Sequence, residues 1–110
     1  MFDRRRTIES MPRALHHPAA ASIELTGVLH ALADPVRLEI VRGLAEGGEC
    51  RCNAFDLPVT KSTRTHHFRV LRESGVIEQR AEGTAVVNRL RRVELAERFP
   101  GLLDSVLSAR

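Results

Sequence analysis

Cysteine is scarce in this chain: Cys50 and Cys52 are its only two. They are too few and too close for a disulfide framework, which excludes the stapled secreted scaffolds and makes a reducing compartment the expectation. No apolar run of about 18 residues occurs, so no membrane-spanning helix and no membrane partner are expected. The opening stretch MFDRRRTIESMPRALHH has charge but no apolar segment behind it to serve as a signal peptide. A cytoplasmic location is the expectation. Serine, histidine and aspartate are present, yet no nucleophile elbow, glycine-rich phosphate loop or His-Glu-x-x-His spacing accompanies them, and enzymatic chemistry is not expected. Internal repeats and low-complexity segments are absent as well.

What the chain does have is enough for one small domain. Its 110 residues, 43% apolar and 28% charged, can bury one core and hardly two. The net charge of +3 conceals an uneven distribution. Between residues 61 and 92 lie eight basic residues and three acidic ones, a local excess of five positive charges against minus two elsewhere. Such asymmetry attracts phosphates and releases their counterions.

The run from Thr60 to Gly83 carries most of the information. A helix over 61–74, capped by Thr60, places Phe68, Val70 and Leu71 on a packing side. Ser62, Thr65, His66 and Arg69 recur at i, i+3, i+4 and i+7 on another, which is polar, basic and free of carboxylates. Gly75 ends this helix. Alternating VIEQRAE and TAVVNRL segments on either side of Glu82-Gly83 then read as a two-stranded hairpin. A basic helix followed by a hairpin is the heart of a winged helix-turn-helix, and the expected fold class is mainly α with a small β-hairpin wing.

Elsewhere, residues 1–17 read as a flexible arm and 18–110 as the DNA-binding and dimerisation domain. Pro18 suits the first turn of a helix running to about Ala33, with Leu25, Val28, Leu29 and Leu32 as its inward stripe. Gly27 inside that helix costs roughly 1 kcal/mol unless another backbone packs against it, as a second subunit would. Asp34-Pro35 is a cap followed by a first-turn proline, opening a helix through Glu46 that turns Val36, Ile40, Val41 and Leu44 inward and stops at Gly47-Gly48. Residues 52–57 fit a turn or two of helix. Residues 93–99 and the Leu102, Leu103, Val106, Leu107 stripe give two terminal helices. The end helices carry more apolar surface than a three-helix core uses, and homodimerisation through them is expected.

LHALADPVRLEIVRGL (29–44), ECRC (49–52) and KSTRTHHFRVLRESGVI (61–77) together resemble the ArsR/SmtB family of bacterial transcriptional repressors, over about residues 22–107. The resemblance implies a homodimeric winged-helix repressor that binds an inverted repeat in double-stranded DNA and responds to an inducer, often a metal ion. It places Lys61, Ser62, Thr63, Thr65, His66, His67 and Arg69 on the DNA-reading helix, with one histidine of the pair contacting DNA and the other packing. Arg80 and Arg89 fall on the wing. Cys50 and Cys52 match the family's Cys-x-Cys metal position, and two thiolates need further donors, from His16, His17, His30 or a second subunit; a nitrogen-and-oxygen site using Glu24 or His30 is the other arrangement. Zinc, nickel or cobalt is then the expected effector, with no cofactor needed for folding. The alternative for the cysteines is simple packing near a helix start.

Two departures stand out. Arg64 occupies the inward row with Phe68 and Leu71, where the family has an apolar residue, so it must snorkel or find a carboxylate such as Asp56 or Glu73. Residues 93–110 contain no histidine, and the family's C-terminal metal site is not expected. The rival functional reading is a winged-helix protein-interaction module that works with a partner regulator supplying the metal sensing.

Overall fold

A computed structural model describes residues 15–109. Most of the expected arm, 1–14, lies outside them. Five α-helices and three strands follow in the order α1 (Leu25–Leu32), α2 (Pro35–Gly47), β1 (Cys50–Arg51), α3 (Lys61–Glu73), β2 (Ile77–Glu82), β3 (Ala85–Leu90), α4 (Arg92–Arg98) and α5 (Leu102–Ser108). This is the winged helix-turn-helix architecture the sequence implies.

Local chemistry sets the helix starts. The Asp34 carboxylate accepts from the backbone N–H of Val36 at 2.8 Å and of Arg37 at 3.1 Å, with Pro35 in the first turn of α2. These bonds, that from Arg37 foremost, hold the Asp34 carboxyl below its ordinary range. Thr60 caps α3 in the same way, its hydroxyl accepting from Thr63 N at 3.2 Å.

The expected helix from Pro18 does not form. Ala20–Ser22 is a single 3-10 turn, Ile23 is extended, and α1 begins only at Leu25. The carbonyls that a longer helix would use are taken by side chains, Pro18 O by Arg91 at 2.8 Å and Ile23 O by Arg98. Ile23 instead plugs the core against Gly75, where a Cβ would lie 2.6 Å from its side chain. Gly75 also has φ +91°, so both conformation and space require glycine there.

The core joins Val28, Ala31 and Leu32 of α1, Ile40, Val41 and Leu44 of α2, and Phe68 and Leu71 of α3. Val76, Ile77 and Leu90 extend it under the wing, and Leu95 and Leu103 close it from α4 and α5. Each of these side chains larger than alanine contributes about 1.5–3 kcal/mol on burial. The Phe55 and Phe68 rings meet at 5.7 Å with their planes tilted by 59°.

Leu25 and Leu29, expected inward, are each 45% exposed and flank the buried Val28. Among the described residues nothing lies within 4 Å of where a Gly27 Cβ would be, so no backbone of theirs packs there.

The sheet has strand order β1-β3-β2, all antiparallel. The hairpin loop is Gly83-Thr84, with Gly83 at φ +64° and Glu82 paired with Ala85. The helix expected over 52–57 shortens to the single 3-10 turn Cys52–Ala54, preceded by β1, a two-residue strand on β3. Two residues cannot display an alternation, so partner β3 decides their conformation.

Candidate nucleic-acid interface

Helix α3 presents Lys61, Ser62, Thr63, Thr65, His66 and Arg69 to solvent, with no acidic residue in its first turn. Thr60 satisfies the Thr63 amide and also donates to the Thr63 hydroxyl at 3.0 Å, which locks the helix start. Thr65 donates its hydroxyl to Lys61 O at 3.1 Å, leaving oxygen lone pairs outward. Arg69 and His66, one turn apart, face each other at 3.5 Å. The positive end of the helix dipole and the basic side chains thus share one exposed surface.

His67 is a correction. The resemblance puts it with the DNA-reading residues, but it is 8% exposed and its Nδ1 accepts from Arg37 Nη1 at 3.1 Å. Of the histidine pair, His67 packs and His66 faces outward. Its position four residues before Leu71 puts it on the core side of α3. Burial is the main cause holding its pKa below the usual histidine value, and Arg37 and His66 act in the same direction against an opposing Asp34.

Arg37, which the sequence reading passed over, is 7% exposed. Its guanidinium donates from Nε to Ala31 O at 2.7 Å and from Nη2 to His30 O at 3.2 Å, closing the last turn of α1 while holding His67 of α3. The signal was available: Arg37, Ile40, Val41 and Leu44 form one i, i+3, i+4, i+7 row, and all four are buried.

A second buried network aligns the wing with α3. Arg72 Nη1 donates to Gln79 Oε1 at 2.8 Å, Gln79 Nε2 to Asn88 Oδ1 at 2.7 Å, and Asn88 Nδ2 to Cys50 O at 3.0 Å. Gln79 and Asn88 are register partners, so their side chains share the inner face of the hairpin. Helix and all three strands are tied by these bonds.

The opposite face of the wing holds Arg80 and Arg89. Arg80 makes a two-pronged contact with Glu49 at 2.8 and 2.9 Å and reaches Glu82 at 3.2 Å. Its hydrogen bond is the main reason the Glu49 carboxyl sits below its ordinary range. Arg89 binds Glu78 Oε1 at 2.7 Å. A phosphate would therefore have to displace a carboxylate from either arginine.

Arg64 is half-buried and, among the described residues, pairs with neither Asp56 nor Glu73. With Phe68 it lines the cavity between α3 and the wing.

The expected metal donors do not assemble. Among the described residues no three His, Cys, Asp or Glu side chains gather as a metal site. The Cys52 sulfur accepts from Asn88 Nδ2 at 3.2 Å and faces Gln79 Nε2 at 3.7 Å. His17 is no free donor: its Nε2 accepts from Gln79 N at 3.0 Å, covering a backbone N–H on the edge strand β2. His16 is held through its carbonyl by Arg72 Nε at 3.1 Å. His30 is exposed on α1. Two thiols with these neighbours do not supply a closed shell for a transition metal within one chain.

Comparison with known proteins agrees with this geometry. A family model described as a helix-turn-helix domain matches residues 32–80. The chain is 30% identical over 82 residues to an uncharacterized HTH-type transcriptional regulator of Bacillus subtilis, covering 72% of this chain and 82% of that protein. It is 39% identical over 59 residues to another from Methanocaldococcus jannaschii, covering 52% of this chain and 66% of the archaeal protein. Among solved structures, one described as a possible transcriptional regulator for arsenical resistance superposes with TM-score 0.58 and 32% identity, over 72% of this chain and 82% of that one. An ArsR family transcriptional regulator, at 22% identity, shares the fold with TM-score 0.59 over 78% of this chain and 98% of that one.

Proposed function

The chain belongs to the ArsR family of winged helix-turn-helix transcriptional regulators, DNA-binding proteins rather than enzymes, and from that premise we propose that it acts as a homodimeric repressor on an inverted-repeat operator. One observation carries the reading: the exposed, carboxylate-free surface of α3 that joins Lys61, Ser62, Thr63, Thr65, His66 and Arg69 to the helix N-terminus. Thr65 and Arg69 discriminate bases in the major groove, while Lys61 and the first-turn backbone amides hold phosphate. Arg80 and Arg89 add sequence-independent contacts by exchanging their carboxylates for phosphates, a gain reduced by the ion pair each gives up.

Dyad symmetry places two such helices about one turn of DNA apart. The exposed Leu25 and Leu29 on α1 and Val93 on α4 supply apolar surface for the second copy. Among the described residues of a single chain, the donors do not form a site for a divalent metal effector.

Footprinting across the gene's own promoter, paired with sedimentation, tests the reading. A dyad-symmetric protected site, bound with an affinity that falls steeply as salt rises, is expected. A chain that sediments as a monomer at micromolar concentration, or protects no site, defeats it.

A further inference from the structure

Between α3 and the wing lies a cavity of about 360 Å³, within the range of roughly 300–1,000 Å³ typical of small-molecule sites. Lys61, Arg64, Arg69 and Arg72 of α3 and Arg51 of β1 line it, and no acidic side chain among the described residues does. The wing's carboxylates, Glu49 and Glu78 among them, are engaged by Arg80 and Arg89 on the other side of the sheet. Phe68, Leu15 and Val86 form apolar wall. The lining is therefore cationic and greasy at once.

We propose that this cavity is an effector site for a small amphipathic organic anion, such as an aromatic or aliphatic carboxylate. Its charged head meets Arg64 and its apolar body lies on Phe68 and Val86. A DNA phosphate satisfies the cations but leaves the apolar wall without a partner. An anion with an apolar body satisfies both parts of the lining.

The regulatory consequence rests on the DNA-reading assignment above. Lys61, Thr65 and Arg69 belong both to the cavity wall and to the proposed reading surface. A bound anion and a bound operator then exclude one another, and the ligand releases the DNA.

The full chain contains neither tryptophan nor tyrosine, so the fluorescent amphipathic anion anilinonaphthalene sulfonate can be titrated without a competing intrinsic signal. Saturable binding of one dye per chain is expected, displaced by naphthoate and not by the uncharged naphthamide. Arg64→Gln and Val86→Asp should each weaken the dye by about tenfold, with cooperative thermal melting as the check that each variant is folded. The wild-type comparison of naphthoate with naphthamide needs no variant at all. Equal displacement by both compounds, or variants that bind dye as the parent does, overturns the site. Duplex operator should expel the dye, and retention of dye on a chain that binds the duplex overturns the competition. Because the dye titration uses no DNA, a chain that takes the dye but no duplex condemns the DNA-reading assignment while leaving the site in place.

Discussion

Removing the Arg37 guanidinium should be the most damaging single truncation on the polar side of this fold. Arg37 is buried and bonded to three acceptors, the carbonyls of His30 and Ala31 and the ring of His67. Hydrogen bonds from a charged donor contribute about 1.5–3 kcal/mol each, and a buried acceptor left unpaired costs about 1–3 kcal/mol. These terms overlap, since one side chain makes all three bonds, so Arg37→Ala should cost about 3–4 kcal/mol. For a domain of this size each kcal/mol lowers Tm by about 4–8 °C, which predicts a fall of roughly 12–30 °C by circular dichroism. Arg37→Lys should recover less than half, because one ammonium cannot span the three acceptors. A loss below about 1 kcal/mol for Arg37→Ala would refute the argument that this side chain ties α1 to α3.

The same pair sets a pH dependence. His67 accepts from Arg37 and must be neutral at Nδ1 to do so. Its folded pKa lies below the ordinary 6.5, chiefly through burial. Between the two values the unfolded chain holds a proton that the folded chain does not, so stability rises with pH there. The contribution is full above the unfolded value and is lost as pH falls through 6.5 toward the lowered folded value. His67→Asn keeps an acceptor and cannot titrate, so urea denaturation from about pH 7.5 to 5 should show a shallower decline than for the parent. Identical slopes would remove His67 from the account.

Three further outcomes are expected. Arg69→Ala should reduce discrimination between operator and random DNA by about 1–3 kcal/mol, whereas Arg80→Ala should weaken both alike and by less, since Arg80 is already paired with Glu49; competition gel shifts separate the two, and equal loss for Arg69→Ala on both DNAs contradicts the assignment. Gly75→Ala should destabilise by at least about 1 kcal/mol, because the residue has φ +91° and a Cβ would lie 2.6 Å from Ile23; a melting temperature equal to that of the parent would show that Ile23 yields freely. Calorimetry with zinc, nickel and cobalt should reveal no tight stoichiometric binding that disappears in the Cys50→Ser, Cys52→Ser double variant, and its appearance would mean that a second chain completes the shell.

How much could be read from the chain alone follows from how local each signal is. Asp34 and Thr60 cap helices through bonds spanning two or three residues, so their roles were legible in adjacent letters. The hairpin was legible for the same reason, its two alternating segments meeting across a two-residue loop. The start of α1 was not, because the bonds that keep residues 18–24 out of a helix come from Arg91 and Arg98, more than seventy residues away. Arm histidines looked like a free donor pair for a like reason: the edge N–H of Gln79 that engages His17 lies in another element.

The buried polar residues expose a different limit. Arg37, His67, Gln79 and Asn88 all sit at positions whose periodicity points inward, yet a polar letter is ordinarily read as an outward one. Periodicity alone would have assigned them correctly. What it lacks is the partner: a buried guanidinium becomes tolerable only when two carbonyls and an imidazole converge on it. Arg64 shows the converse. Its place in the row with Phe68 was readable, but that this row opens onto the cavity facing the wing was not. The charge that looks misplaced in a packing row is thereby a charge presented to a ligand.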